Sequence, residues 1–324
     1  MNWLYRVLFT CLLGVFMAQH LEAQITAVNT SGETIEALPL ANANISSGEL
    51  FRVEKFPSKF ITPRTVDIWL PDGYSKSKKY AVLYMHDGQM LFDASVTWNH
   101  QEWKVDEVAS ELMKSHKTRG FIVVGIHSIS ETRYADLFPQ KAIDYLNPEG
   151  KKAFLAYAQK DNPNIIFKGD AYLKYLVEEI KPFIDAQFST LKSLENTVVA
   201  GSSMGGLMSW YAICEYPEIF GGAACMSTHW PGIDPETPGP FPKAFFDYIK
   251  AHMPKPNSHK LYFDFGTKTL DQYYPKYETA VNALFQNAGY TSNNFMNKKI
   301  EGADHSEASW QKRIYIPFTF LMAN

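Results

Sequence analysis

Residues 198–212 read Val-Val-Ala-Gly-Ser-Ser-Met-Gly-Gly-Leu-Met-Ser-Trp-Tyr-Ala. A short apolar run gives way to Gly201-Ser202-Ser203-Met204-Gly205, and an apolar helical pattern follows. Gly-x-Ser-x-Gly between a strand and a helix places its serine on a sharp bend, with the hydroxyl exposed above a sheet. Gly201 and Gly205 let the backbone turn without a side-chain clash. The positive end of the following helix points at the same spot and favours negative charge there. Ser203 is therefore the candidate nucleophile.

The rest of the chain fits a sheet that such a bend needs. Tyr80–Met85, Gly120–Ile126, Phe220–Ser227 and Lys260–Gly266 are continuous apolar runs of the kind buried on both faces of a parallel sheet. Arg64–Leu70 alternates and stops at Pro71-Asp72-Gly73. Val105–His116 carries helical spacing. Asp170 is read as the N-cap of a helix over 171–188, kinked at Pro182. Tyr277–Ala288 is a helix stopped by Gly289. A weak last strand is expected over Lys298–Gly302, and a closing helix from Glu307. Alternating strands and helices predict an α/β fold, a mostly parallel central sheet with helices on both faces. Residues 24–50 read as a polar, surface-exposed lead-in to one domain over 51–324. Two loop insertions, near 128–169 and 229–259, leave the carboxyl ends of the strands, where ligands bind in open α/β sheets.

Residues 1–23 read as a secretory signal peptide: Arg6, an apolar core from Val7 to Ala18, and Ala23 at the cleavage point. The mature chain then has no membrane span and is expected in the periplasm or outside the cell. Cys214 and Cys225 remain, both on apolar elements, and are read as buried free thiols rather than a bridge. A net charge of −3 over 324 residues offers no basic face for nucleic acid. The nine histidines show no metal-ligand spacing, so no metal is expected.

A serine hydroxyl needs a neighbouring base, itself oriented by an acid. In this strand–turn–helix setting the partners follow as Ser, Asp or Glu, then His. His305, in Gly302-Ala303-Asp304-His305, is the base. Asp271, in the loop after Lys260–Gly266, is better placed as the acid than Asp264 within the strand. Asp304, beside His305, faces elsewhere. The oxyanion donors are the N–H of Met204 and one from the loop His86-Asp87-Gly88-Gln89: Gln89, with Gly88 as the alternative. His86 and Asp87 are read as bracing that loop. Trp98, Trp103, Tyr134, Phe138, Trp230, Tyr273 and Tyr274 fall in or near loops expected to rim the site. Trp230, Tyr134 and Arg133 are the substrate-binding candidates.

On these residues the chain resembles the "Putative esterase" family of α/β-hydrolases, which takes in esterase D, the enterochelin esterases and the feruloyl and acetylxylan esterases of carbohydrate esterase family 1. The resemblance rests on Val66–Tyr74, Met85–Gln89, Gly201–Gly206, Gly266-Thr267 with Asp271, and Asp304-His305, and spans most of 51–315. It implies the α/β-hydrolase fold and a secreted serine ester hydrolase without a cofactor. The sequence lacks the extended N-terminal domain of enterochelin esterases. The leading expectation is removal of feruloyl or acetyl groups from plant polysaccharide, with a small ester or an acylated oligosaccharide as substrate. The alternatives are hydrolysis of a catecholate siderophore ester, and an idle carbohydrate-binding protein on a hydrolase scaffold.

Overall fold

The computed structural model describes residues 24–28, 32–160 and 162–324. The signal-peptide reading of residues 1–23 lies outside them. Ten strands form one sheet: β1 Ile25–Val28, β2 Thr34–Pro39, β3 Glu49–Phe56, β4 Arg64–Leu70, β5 Ala81–His86, β6 Phe121–Ile126, β7 Thr197–Ser202, β8 Gly222–Met226, β9 Lys260–Phe265 and β10 Phe295–Lys299. Their order is β1-β2-β3-β4-β6-β5-β7-β8-β9-β10. The pairings from β6 through β10 are parallel, and those from β1 to β6 antiparallel. The α/β-hydrolase fold is therefore present, with a mixed sheet whose parallel part carries the site.

The helices are α1 Val105–Lys114, α2 Arg133–Asp136, α3 Pro148–Ala158, α4 Gly169–Lys174, α5 Lys181–Gln187, α6 Met204–Glu215, α7 Phe241–His252, α8 Glu278–Asn287, α9 Glu307–Gln311 and α10 Tyr315–Met322. Strand side chains alternate between two cores. Val82 and Tyr84 of β5 join Leu207, Trp210 and Phe245 on one face. Ala81, Leu83 and Met85 join Val105, Trp310 and Phe318 on the other. Burial on both faces is why the central strands are continuous apolar runs.

Five sequence expectations are corrected. Residues 24–50 are no mere lead-in: β1, β2 and the start of β3 lie there and extend the sheet. The segment over 229–259 contains a twelve-residue helix, α7. The last strand runs Phe295–Lys299, a few residues before the expected Lys298–Gly302. Asp170 is no N-cap: Lys168 holds that position, and Asp170 accepts a hydrogen bond from the Tyr211 hydroxyl instead. The helix over 171–188 is broken into α4, a π-helical turn at Tyr175–Ile180, and α5 with Pro182 in its first turn. Pro182 has no N–H to give, and the wider turn just before it absorbs the missing bond.

The two insertions are joined by rings. Phe138 packs on Phe154, Phe167, Phe241 and Phe245 with centroids 5.0–5.8 Å apart. Cys214 and Cys225 are free and buried. No helix among the described residues is long and apolar enough to cross a membrane.

Candidate active site

Ser203 occupies the N-cap position of α6 at φ 56°, ψ −116°, and its side chain makes no capping bond. A serine at an N-cap ordinarily spends its hydroxyl on the helix. Here the bend turns that hydroxyl away and leaves it available. The conformation costs on the order of 1–3 kcal/mol and persists only where the surroundings enforce it. They do: Ser203 N–H donates to Met226 O at 3.0 Å, and Ser203 O accepts from Leu207 and His229 N–H. A Cβ on Gly201 would lie 2.8 Å from the Gly205 carbonyl carbon, so the bend admits no side chain at Gly201.

Strain gathers around this point. Among the described residues seven non-glycines have positive φ, and Asp87, Ser203, Ser227 and Thr269 are four of them. All four sit in loops that converge on the carboxyl ends of β5, β7, β8 and β9.

Asp271 and His305 are joined, with His305 Nδ1 2.5 Å from Asp271 Oδ1. An ionised carboxylate only accepts, so Nδ1 carries the proton and Nε2 offers a lone pair. The ring of His305 lies edge-on to Trp310 at 5.0 Å and to Tyr274 at 6.0 Å. The Thr269 hydroxyl accepts from His305 N–H at 2.9 Å. Asp271 is fully buried, and its Oδ2 accepts from Gly266 N–H at 2.5 Å and the Ser227 hydroxyl at 2.6 Å. Ser227 directly follows Met226, whose carbonyl holds Ser203. His229, two residues further on, donates its N–H to Ser203 O and accepts from the Tyr274 hydroxyl at 2.9 Å. The acid, the base and the serine turn are thus tied to one four-residue stretch, Met226–His229. Asp264, the alternative acid, is buried against Arg313 and makes no bond to His305. Asp304 accepts from the hydroxyls of Ser306, the N-cap of α9, and Ser309.

The loop after β5 lies against the start of α6. A Cβ on Gly205 would lie 3.2 Å from His86 Cβ and 3.5 Å from Asp87 Oδ2. Gly88 packs on Gly125, where any side chain would meet the backbone at 2.4 Å. Gly88 and Gln89 open a 3₁₀ turn, so their N–H groups have no partner within it. The Gln89 side chain exchanges two bonds with Ser128, at 2.9 and 3.0 Å, which fixes the loop. Met204 N–H is the first of the free amides of α6.

The substrate-binding candidates divide. Trp230 is 5% exposed, sandwiched between Trp210 and Phe263, and belongs to the core rather than the rim. Arg133 grips Asp87 with two bonds of 2.7 Å. Burial by itself would raise the Asp87 carboxyl; the guanidinium outweighs it and holds the group below the ordinary carboxylate range. Tyr134 is half-buried and donates to Gly232 O at 2.8 Å, tying the two insertions together. Of the other aromatics, Trp103, Phe138 and Tyr274 are buried and Tyr273 is bonded to Glu236. Trp98 is 82% exposed. Its loop is pinned to the segment after His305: Asn99 donates to Glu307 at 2.9 Å, and Gln101 accepts from Ala308 N–H at 3.1 Å.

Two further histidines lie close by. His86, bonded to the Tyr172 hydroxyl at 2.7 Å, and His229 are both pushed down to about 4, in each case first by burial. Both are neutral wherever His305 would work. Sequence reasoning missed Ser227, Thr269, Glu307 and Arg313. None stands in a recognisable motif: Thr269 and Glu307 lie two residues from Asp271 and His305, while Ser227 and Arg313 meet only through long-range folding.

The family described as "Putative esterase" matches residues 58–322. An endo-1,4-beta-xylanase/feruloyl esterase of Xylanibacter ruminicola is 24% identical over 184 residues, which is 55% of this chain and 21% of that protein. The uncharacterized protein YjcH of Bacillus subtilis is 23% identical over 54% of this chain and 60% of its own length. The chain thus spans less than two thirds of either relative. Among solved structures, a ferulic acid esterase superposes with a TM-score of 0.59 at 17% identity, covering 85% of this chain and 98% of that one. The enterobactin esterase FES of Shigella flexneri gives 0.58 at 18%, covering 82% and 57%. Both likenesses are of fold. Since the family's pattern runs through all but the first strands of the sheet, the chain belongs to the "Putative esterase" family and is an esterase of α/β-hydrolase fold.

Proposed function

We propose that this esterase works through Ser203, His305 and Asp271 and acts on feruloyl or acetyl esters of plant polysaccharide after export. The observation that carries the mechanism is Ser203 itself: a serine held at positive φ at the head of α6 with its hydroxyl uncommitted. His305 Nε2 takes the serine proton as Oγ attacks the acyl carbon. The oxyanion is met by the N–H of Met204 and of Gln89, each donor contributing about 2.7–4 kcal/mol in the transition state. His305 returns the proton to the departing alcohol, leaving an acyl-enzyme. Water, deprotonated by the same imidazole, then releases the acid. Asp271 stays ionised and stabilises the imidazolium.

The polysaccharide assignment rests on the exposed Trp98 beside the His305 loop and on the feruloyl esterases among the similar proteins. An aromatic face exposed at the rim suits a phenolic ring or a sugar. Purified mature protein assayed on p-nitrophenyl acetate, methyl ferulate, acetylated xylan and a catecholate trilactone tests it. Turnover of methyl ferulate or acetylated xylan, lost in Ser203→Ala, is the expected result. Preference for the trilactone would keep the mechanism and replace the substrate. No turnover of any ester would end both.

A further inference from the structure

Behind Asp271 lies a second carboxylate that the mechanism above does not use. Asp264 accepts from Arg313 Nε and Nη2, both at 3.0 Å, from the Tyr262 hydroxyl at 2.8 Å, and from Ser227 N–H at 3.1 Å. Arg313 Nη2 also donates to the Ser227 hydroxyl oxygen at 2.8 Å and stands 3.9 Å from Asp271 Oδ2. Trp310 Nε1 gives Ser227 Oγ another bond at 2.9 Å. Ser227 Oγ in turn donates a hydrogen bond to Asp271 Oδ2 at 2.6 Å. Asp264, Asp271, Ser227 and Arg313 are all at most 3% exposed.

Resting on the triad assigned above, we propose that Asp264, Arg313 and Ser227 are positioning residues that fix the Asp271 carboxylate and set how much of its charge reaches His305. Ser227 receives two donors, from Trp310 and Arg313, so its one proton has a single direction left, toward Oδ2. That bond and Gly266 N–H occupy Oδ2 and leave Oδ1 to the imidazole. The charges work alongside. Two carboxylates and one guanidinium carry a net −1, which an imidazolium at 305 neutralises. Arg313 is engaged bidentately by Asp264, the strongest geometry a guanidinium offers. So engaged, it stays 3.9 Å from Asp271 instead of pairing with it. Without Asp264, Arg313 would turn its charge on Asp271 and compete with His305.

The groups facing His305 are Asp271, Tyr274, Trp310 and His229, with Asp304 and Glu307 flanking it in sequence. His229 is neutral at working pH, so the acid limb of kcat/KM is assigned to His305. Removing a donor from Asp271 and unleashing Arg313 on it then act with opposite sign. Ser227→Ala takes a hydrogen bond from the carboxylate, strengthens its hold on the imidazolium and moves the limb to higher pH. Asp264→Asn keeps the shape, frees Arg313, weakens that hold and moves the limb to lower pH. Each shift is about half a pH unit, with kcat down about tenfold and KM within about twofold. Should Asp264→Asn not fold, Arg313→Lys replaces it. One amine cannot span Asp264 bidentately, so the limb again falls.

Full pH profiles of these variants, with Asp271→Asn alongside, decide the matter. Opposite shifts support the positioning role. Limbs that do not move, or that move the same way, overturn it. If Asp271→Asn keeps its activity, the triad assignment itself falls. If Asp271→Asn loses about 10³-fold or more while the other variants match the parent, only the positioning role falls.

Discussion

The residues that touch the reacting bond and those that hold them make different errors when changed. Ser203→Ala is expected to lower kcat at least about a thousandfold with the fold intact, because a methyl group fits the bend as well as a hydroxyl does. Circular dichroism beside an ester assay checks both halves. Arg133 was expected to meet substrate, but the structure gives it to Asp87. Its loss should therefore slow every ester alike. Arg133→Met leaves Asp87 unpaired beside the Gly88-Gln89 turn, and kcat should fall about ten- to a hundredfold with little change in KM. A rise in KM confined to acidic substrates would instead restore the substrate-binding role. Trp98 gives the converse pattern. Trp98→Ala on an exposed loop should change stability by no more than about 0.5 kcal/mol. KM for methyl ferulate should rise up to about tenfold, and that for ethyl acetate should stay put, since only the first carries a ring to stack. At this scale the sequence was informative where chemistry forces adjacency, as at Gly201–Gly205. It was silent on Ser227 and Arg313, which meet across 86 residues.

Elements were legible in proportion to how much apolar surface they bury. The strands β5 to β9 are sealed on both faces and announce themselves as apolar runs. The outer strands do not. In β2 only Ile35 and Ala37 are buried, and β10 is an edge strand ending in exposed lysines. Such strands are held by backbone pairing, which leaves no mark on composition. The same amino-terminal region grips α1. Ser46 and Ser47 N–H donate to Asp106 Oδ2 at 2.6 and 3.3 Å. Burial, reinforced by Glu107, pushes Asp106 and Glu102 up to about 7. The folded protein therefore holds protons there that the unfolded chain has released by about pH 5. Stability contributed by these groups is greatest below their unfolded values near 4 and is lost as pH rises toward 7. Thermal midpoints should fall between pH 5 and 7, and Asp106→Asn should flatten that part of the curve. A flat parent curve would show that these carboxyls keep ordinary values.

For the molecule as a whole, one half supplies geometry and the other supplies walls. The sheet and α6 fix the bend at Ser203, while the insertions leave from the carboxyl ends of β6 and β8. The order Ser, Asp, His along the chain was legible because a parallel sheet delivers successive loops to the same edge. The insertions were legible as segments near 128–169 and 229–259, but their internal structure was not, because much of their packing is with each other. Phe138 shows how: from the first insertion it stacks on Phe154 and meets Phe241 and Phe245 of α7, with no exposed surface. Tyr134 adds a bond to Gly232 across the same seam. Phe138→Ala removes the ring on which both halves close, at a cost of about 3–5 kcal/mol. Phe138 shares the core that covers one face of the sheet, but the core on the sheet's other face is separate and keeps its packing. The walls should then loosen at temperatures where the strands still stand. Activity on methyl ferulate should disappear on heating well before far-ultraviolet dichroism reports unfolding, whereas the parent loses both together. If the variant instead keeps the two transitions coincident, walls and sheet are one cooperative unit, and the aromatic seam is a continuation of the core.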